Sequence, residues 1–317
     1  MQDARSPVLR PARSAALLLL ALAASLLPAC ANSAARSGAA ASTEDLSTLS
    51  EAARLERADA LLRTTPLIDG HNDTPWQYRE RVNNQLSEMD FASDLSELDP
   101  PMHTDLPRLR AGGVGGQFWS VYIPASRGGS RPGDARVLFE QIDFVHRLIA
   151  AFPEDLELAS TADDIVRIHR NGRIASLMGI EGGHSIEQSL AVLRAAYDAG
   201  VRYMTLTHSL TTRWADSGTD DEVHDGLTPF GEEVVREMNR LGMLVDLSHV
   251  SDRTMHEALD ISEAPVIFSH SSTRSLADTP RNVPDDVLRR LRDNGGVIMI
   301  TFVPIYVSQP LLDWWDD

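Results

Sequence analysis

A chain of 317 residues with 43% hydrophobic content and 24% charged residues can bury one large core or two small ones. Its net charge of −17 argues against nucleic acid as a partner, because the phosphates would be repelled. All 29 basic residues are Arg, which excludes Schiff-base and other Lys chemistry, and the single Cys30 excludes an internal disulfide and leaves the folded domain no thiolate ligand.

Residues 1–30 stand apart. Arg5, Arg10 and Arg13 precede the apolar run Ala15–Leu27, too short to span a bilayer comfortably, and Pro28-Ala29-Cys30 follow it. A basic stretch, a short apolar stretch and small residues before a cleavage point read as an export signal. Leu27-Pro28-Ala29-Cys30 resembles the lipobox of bacterial lipoproteins, in which the Cys is lipidated after cleavage. Pro28 is unusual at its position, so an ordinary signal peptide is the alternative. The expected location is periplasmic, or on the outer or cell membrane of a bacterium through lipidated Cys30. Residues 31–50, rich in Ala and Ser, read as a flexible tether, and residues 51–317 as the folded domain.

Helical spacing over Glu51–Arg63 predicts an opening helix, followed by a first strand at Pro66–Gly70. Residues 74–111 are polar, aromatic and punctuated by proline, which predicts a long loop with short helices, one of them near Leu106–Ala111. A glycine run, 112–116, leads into a second strand at Gln117–Pro124. Helices are expected at Ala135–Ala151 and Thr161–Asn171, the latter capped by Thr161 with Asp163 and Asp164 in its first turn. A third strand, Ile174–Ile180, ends in Glu181-Gly182-Gly183-His184, and after a helix at Ser189–Gly200 a fourth, Tyr203–Thr207, ends at His208. Thr228-Pro229 opens a helix that Gly242 closes, and strand five, Met243–Leu247, ends at Ser248-His249. A helix at Ser251–Leu259, strand six at Pro265–Phe268 ending in Ser269-His270, a helix at Pro284–Arg292 and strand seven at Val297–Val303 complete the order. Strands that are continuous apolar runs alternating with helices predict an α/β fold, a TIM-type (β/α)8 barrel rather than an open doubly wound sheet.

The polar residues at the strand C-termini are His71 with Asp73, Glu181, His208, His249 and His270. In an extended segment His71 and Asp73, two apart, point to one side. In a barrel all of those ends open on one face, where active sites lie. Imidazole and carboxylate without thiolate suit Zn²⁺ or a similar first-row cation, and Glu181, the only Glu at a strand end, is the natural bridge between two. Taken singly, each residue reads more simply: a lone His after a strand is a loop group, Asp73 a helix cap before Thr74-Pro75, Glu181 a loop carboxylate. The repetition of one placement over successive strands argues against those readings taken together.

The stretches IDGHNDTPW (68–76), GIEGGH (179–184), LTHS with RWADS (206–217), GLTPFG (226–231), VDLSHVS (245–251), VIFSHSS (266–272) and RNVPDD (281–286) resemble the membrane dipeptidase (renal dipeptidase) family of zinc peptidases, in the family's order. The resemblance implies two zinc ions per chain, one on His71 and Asp73, the other on His249 and His270, bridged by Glu181. It implies that His208 binds the dipeptide and stabilises developing charge, that Arg281 pairs with the substrate's terminal carboxylate, and that the protein is a homodimer. His184 reads as a neighbour of the site, and His103, His146, His169, His224 and His256 as structural or surface residues. The family also carries a catalytic Asp in a Ser-Asp-Phe-Asp-Gly-like motif on its last strand. Nothing matches it, and Asp313, Asp316 and Asp317 lie in another context. The expectation is a barrel lacking its eighth strand, with a gap beside strand one, and a 317-residue form that is weak or inactive where the complete protein is an active dipeptidase. The alternatives are another amidohydrolase-type barrel hydrolase, against which stand H-x-D in place of H-x-H and the absence of Lys, and a non-catalytic lipid-anchored protein that binds metal or ligand.

Overall fold

The computed structural model describes residues 48–126 and 131–316. The export signal, Cys30 and all but the last residues of the tether lie outside the described residues. From Ser50 onward the chain forms one unit. Its elements run α1 (Glu51–Thr64), β1 (Leu67–Asn72), α2 (Thr74–Val82), α3 (Leu106–Ala111), β2 (Val114–Ser120), α4 (Asp134–Ala151), β3 (Leu156–Leu158), α5 (Ala162–Arg170), β4 (Ile174–Glu181), α6 (Leu190–Asp198) and β5 (Val201–Thr205). They continue with α7 (Pro229–Leu241), β6 (Leu244–Asp246), α8 (Asp252–Ile261), β7 (Ile267–Ser271), α9 (Asp285–Asn294), β8 (Val297–Ile300), α10 (Pro304–Val307) and α11 (Gln309–Asp316).

Local chemistry explains most of these boundaries. Thr161 and Asp164 form a reciprocal capping box at α5, and the side chains of Ser189, Thr228 and Ser251 accept from backbone N–H groups at the starts of α6, α7 and α8. Gly242 and Gly295 end α7 and α9 in the left-handed conformation, at φ 80° and 78°. The second strand departs from its expected bounds, starting at Val114 and taking in the glycines. A Cβ on Gly115 would stand 2.8 Å from Pro66, so this glycine permits close strand approach rather than a turn.

All ladders are parallel, in the order β1-β2-β4-β5-β6-β7-β8. The expected TIM-type architecture is present as a nearly closed barrel. The unanticipated β3 pairs only Ile174–Ser176 of β4, ahead of the stretch from Met178 that pairs β5. It is a splint rather than a stave. Among the described residues β1 and β8 are the ends of the path. The barrel still curls enough to bring β1 against β7 and β8: a Cβ on Gly70 would meet Met299 Sδ at 2.2 Å and Ser269 O at 2.3 Å.

Every residue of β4 is buried, as a stave covered on both faces requires. Ile174, Met178 and Ile180 join the large cluster shared with Leu193, Val234 and Met238 of the helices, while Ala175 and Leu177 join Phe118, Tyr203 and Ile267. The rings of Phe118 on β2 and Tyr203 on β5 meet at 5.0 Å although β4 separates their strands, which puts this second group inside the barrel. Gly179 makes the Tyr203 seat: a Cβ there would stand 2.0 Å from the ring. Gly179→Ala is therefore expected to destabilise the fold by about 1–3 kcal/mol through overpacking. A thermal melt unchanged from wild type would show that the ring can move aside.

Candidate metal centre

The strand ends converge on Glu181, whose carboxylate closes β4 and is only 4% exposed. Its Oε1 stands 3.2 Å from His249 Nε2, 3.3 Å from His270 Nε2 and 3.5 Å from His208 Nε2. Its Oε2 stands 3.4 Å from His71 Nε2 and accepts from Ser120 Oγ at 3.3 Å. Asp73 Oδ1 lies 3.2 Å from His71 Nε2 on the solvent side, with half of its side chain exposed. Asp73 occupies the cap position of α2 but makes no side-chain cap bond; Asn72 Oδ1 accepts from Thr74 N instead. The simple reading of Asp73 as a helix cap therefore fails.

The rings touch as well. His71 stacks on His270 with centroids 3.8 Å apart, and His249 lies 4.6 Å from His208 and 4.9 Å from His270. His249 adopts φ 70°, a left-handed conformation that costs a non-glycine residue roughly 1 kcal/mol. Its carbonyl is held there by Gly218 N at 2.7 Å and Ser217 Oγ at 3.2 Å.

Among the described residues two sets of side chains could each hold a cation, His71 with Glu181 and His270, and Glu181 with His208 and His249. Glu181 belongs to both, as expected of a bridge. The sets divide the histidines differently from the expected pairs, since the ring of His270 lies against His71. The donor chemistry fits zinc. Ligand atoms tetrahedrally placed at about 2.1 Å from an ion are about 3.4 Å apart, close to the 3.2–3.5 Å seen around Glu181. His249 Nε2 and His270 Nε2 face each other at 2.9 Å, a contact between two acceptors when each ring carries its proton on Nδ1.

Burial and then the Arg281 charge hold His249 down to about 3, and burial with the neighbouring His71 holds His270 well below its ordinary value. Burial opposes charge on His71 too, but Glu181 and Asp73 outweigh it and raise that imidazole well above 6.5. Burial likewise opposes charge on Glu181, and the facing imidazoles, His71 first, hold the carboxyl well below its ordinary value. The cluster thus presents an ionised carboxylate and neutral imidazoles on His249 and His270, the protonation states that ligation needs, while His71 keeps its proton until a cation displaces it.

A cavity of about 540 Å³ opens beside His71 and Asp73, walled by Gln77, Arg81 and the Pro100–Thr104 segment. Trp76, Tyr122 and His208 continue as edge-to-face rings 5.1 and 5.0 Å apart. Arg281 lies behind His270, buried, donating to Ser271 Oγ at 2.7 Å and to His270 O. His184 contacts Ile123 O through Nε2 at 3.1 Å, and burial pushes it down to about 4. His103 is exposed, and His146, His224 and His256 contact Ala199 O, Thr212 O and Asp286. Asp313 and Asp316 lie exposed on α11.

Sequence reasoning missed Tyr203, Asp246 and Ser269, which touch the ligand imidazoles or brace those that do. Asp246 carried a signal, a charge inside the apolar run Met243–Leu247; Tyr203 carried none.

The sequence profile of the membrane dipeptidase family, peptidase family M19, matches residues 55–312. The chain belongs to the membrane dipeptidase family. It is 48% identical to Dipeptidase 3 of Mus musculus and to Dipeptidase 3 of Rattus norvegicus, in each case over 252 residues, 78% of this chain and 49% of the relative. The chain thus spans about half the length of the curated relatives it matches. The membrane dipeptidase barrel is also similar to two solved structures. One is the "probable dipeptidase PvdM" of Pseudomonas aeruginosa, with TM-score 0.71 and 23% identity, over 83% of this chain and 67% of that one. The other is a metallo peptidase of Rhodobacter sphaeroides liganded with a phosphinate mimic of the dipeptide L-Ala-D-Ala, with TM-score 0.68 and 23% identity, over 80% of this chain and 81% of that one. No helix among the described residues of this family member is long and apolar enough to cross a membrane.

Proposed function

We propose that the protein is a zinc-dependent dipeptidase with two zinc ions per chain, held by His71, Asp73, Glu181, His249 and His270, with Glu181 shared. The observation that carries this reading is the convergence of imidazole nitrogens from four strand ends on one buried carboxylate, at 3.2–3.5 Å. Membership of the membrane dipeptidase family supports it, as does the dipeptide mimic bound by the Rhodobacter neighbour.

Bound there, the two ions supply a water of lowered pKa and a Lewis acid for the peptide carbonyl. The remaining work falls to the chain's own residues. His208 is fixed between Tyr122, Ser209 Oγ at 3.2 Å from its Nδ1, and Glu181, and burial lowers its pKa. A neutral ring so held binds the substrate and offers an N–H to the negative charge that develops on the scissile carbonyl oxygen. Glu181, with His208, is thus the catalytic core of the site. Arg281 takes the substrate's terminal carboxylate. It is a buried guanidinium that no described carboxylate pairs with at ion-pair distance. An unpaired buried cation is costly, and a planar carboxylate is the partner that suits its fork. Arg281→Lys is expected to raise KM for Gly- and Ala-containing dipeptides about 10–100-fold, with a smaller change in kcat. An unaltered KM would remove Arg281 from this role.

Zinc content and hydrolysis of Gly- or Ala-containing dipeptides test the whole reading. Two zinc ions per chain are expected, with turnover where the family's last-strand Asp is also present; dipeptide binding that ignores metal would favour a binding protein instead. The N-terminal pattern supports export and attachment through lipidated Cys30, and the family supports a homodimer. Mass spectrometry of the mature N-terminus and light scattering check those two points.

A further inference from the structure

Two buried hydroxyls stand behind the ligand imidazoles. The Tyr203 hydroxyl lies 3.1 Å from Gly70 O and 3.1 Å from His71 Nδ1. A carbonyl oxygen only accepts, so the phenolic proton points at Gly70 and the phenolic oxygen turns its lone pairs to the imidazole. His71 must then carry a proton on Nδ1. The opposite assignment would set two proton-less oxygens against each other at 3.1 Å.

Ser269 repeats the arrangement on β7. Its Oγ lies 2.6 Å from Asp246 Oδ2 and 2.8 Å from His270 Nδ1. Asp246 is fully buried and accepts from Ser248 N and Ser269 N at one oxygen and from the Thr205 and Ser269 hydroxyls at the other. Four donors converge on its two oxygens, so the side chain acts as the acceptor and takes the serine proton. His270 Nδ1 must therefore donate to Ser269 Oγ.

We infer that Tyr203, and Ser269 seated by Asp246, are positioning residues that keep a proton on Nδ1 of His71 and His270 and so present Nε2 of each ring to Glu181. Each hydroxyl also fixes the rotation of its ring, because a half-turn would replace Nδ1 by a carbon and lose the bond. The two clamps are built differently, one anchored on the carbonyl of β1 and the other on a carboxylate that ties β6 to β7. Both deliver the same face of the imidazole. The proton placement stands on these hydrogen bonds; its consequence for zinc rests on the metal reading above.

Nitrogen-15-edited spectra of the metal-free protein read the placement directly. Wild type is expected to show protonated, slowly exchanging Nδ1 on His71 and His270. Tyr203→Phe loses that signal for His71 and Ser269→Ala loses it for His270, and each weakens zinc binding about 10–100-fold, as removal of an outer partner of a ligand does. Thr205→Val takes a different hydroxyl from Asp246 and is expected to keep both the His270 signal and the zinc affinity. Melting curves of all three verify folding. A His270 proton on Nε2 in wild type overturns the inference. So does undiminished zinc affinity in Ser269→Ala, or an equal loss in Thr205→Val, which would reduce Asp246 to packing. Protonated Nδ1 on both rings in a wild-type protein that takes up no zinc supports the placement and overturns the metal reading.

Discussion

Glu181→Gln is expected to strip the protein of most of its zinc and to lower dipeptide turnover by about 10³-fold or more. The amide is nearly isosteric, so the packing of a side chain only 4% exposed is preserved. What disappears is the negative charge, together with one of two oxygens facing opposite ways, Oε1 toward His208, His249 and His270 and Oε2 toward His71. An amide NH₂ in either position turns a donor toward nitrogens that must themselves donate electron pairs to a cation. A thousandfold loss corresponds to about 4 kcal/mol of transition-state stabilisation. Metal analysis is the first readout, because it depends on the ligand atoms alone. A Glu181→Gln protein that retains wild-type zinc and wild-type turnover would dismiss Glu181 as the bridge.

Removing metal from the wild-type protein is expected to abolish hydrolysis and to lower the melting temperature by roughly 10 °C. The cause is linkage. A cation that binds only the folded chain stabilises it by about 4 kcal/mol when its free concentration is a thousand times its dissociation constant. The contact of His249 Nε2 with His270 Nε2 at 2.9 Å supplies the local reason, since rings protonated on Nδ1 leave two buried acceptors facing each other with no cation to take their lone pairs. Zinc returned to the chelated protein should restore both properties. Magnesium should not, because it prefers oxygen ligands with octahedral geometry and the site is rich in imidazole. Hydrolysis that survives verified loss of metal would exclude the two-ion reading.

Much of the site was legible because the signals are local. His71-Asn72-Asp73 sets two ligand types two residues apart at the end of an apolar run, and the same placement recurs at Glu181, His208, His249 and His270. The capping box of Thr161 with Asp164, the caps at Ser189, Thr228 and Ser251, and the closing glycines Gly242 and Gly295 bounded the helices for the same reason. Each depends on hydrogen bonds within a few residues. The glycine run before the second strand misled, because Gly115 answers to Pro66, far from it in sequence.

By itself, then, the sequence determined the alternation of strands and helices, the barrel class, the family and the set of residues that crowd its open end. Those properties follow from periodicity, capping and residue type, which a stretch of chain expresses without reference to distant partners. Only the tertiary structure decided who stands next to whom. The stacking of His71 on His270 at 3.8 Å joins β1 to β7, and the clamp of Tyr203 on His71 spans 132 residues. The placement of a proton on Nδ1 rather than Nε2 is decided by hydroxyls whose own acceptors lie on other strands. Contacts of that kind are set by strand register and the curl of the barrel, to which every stave contributes.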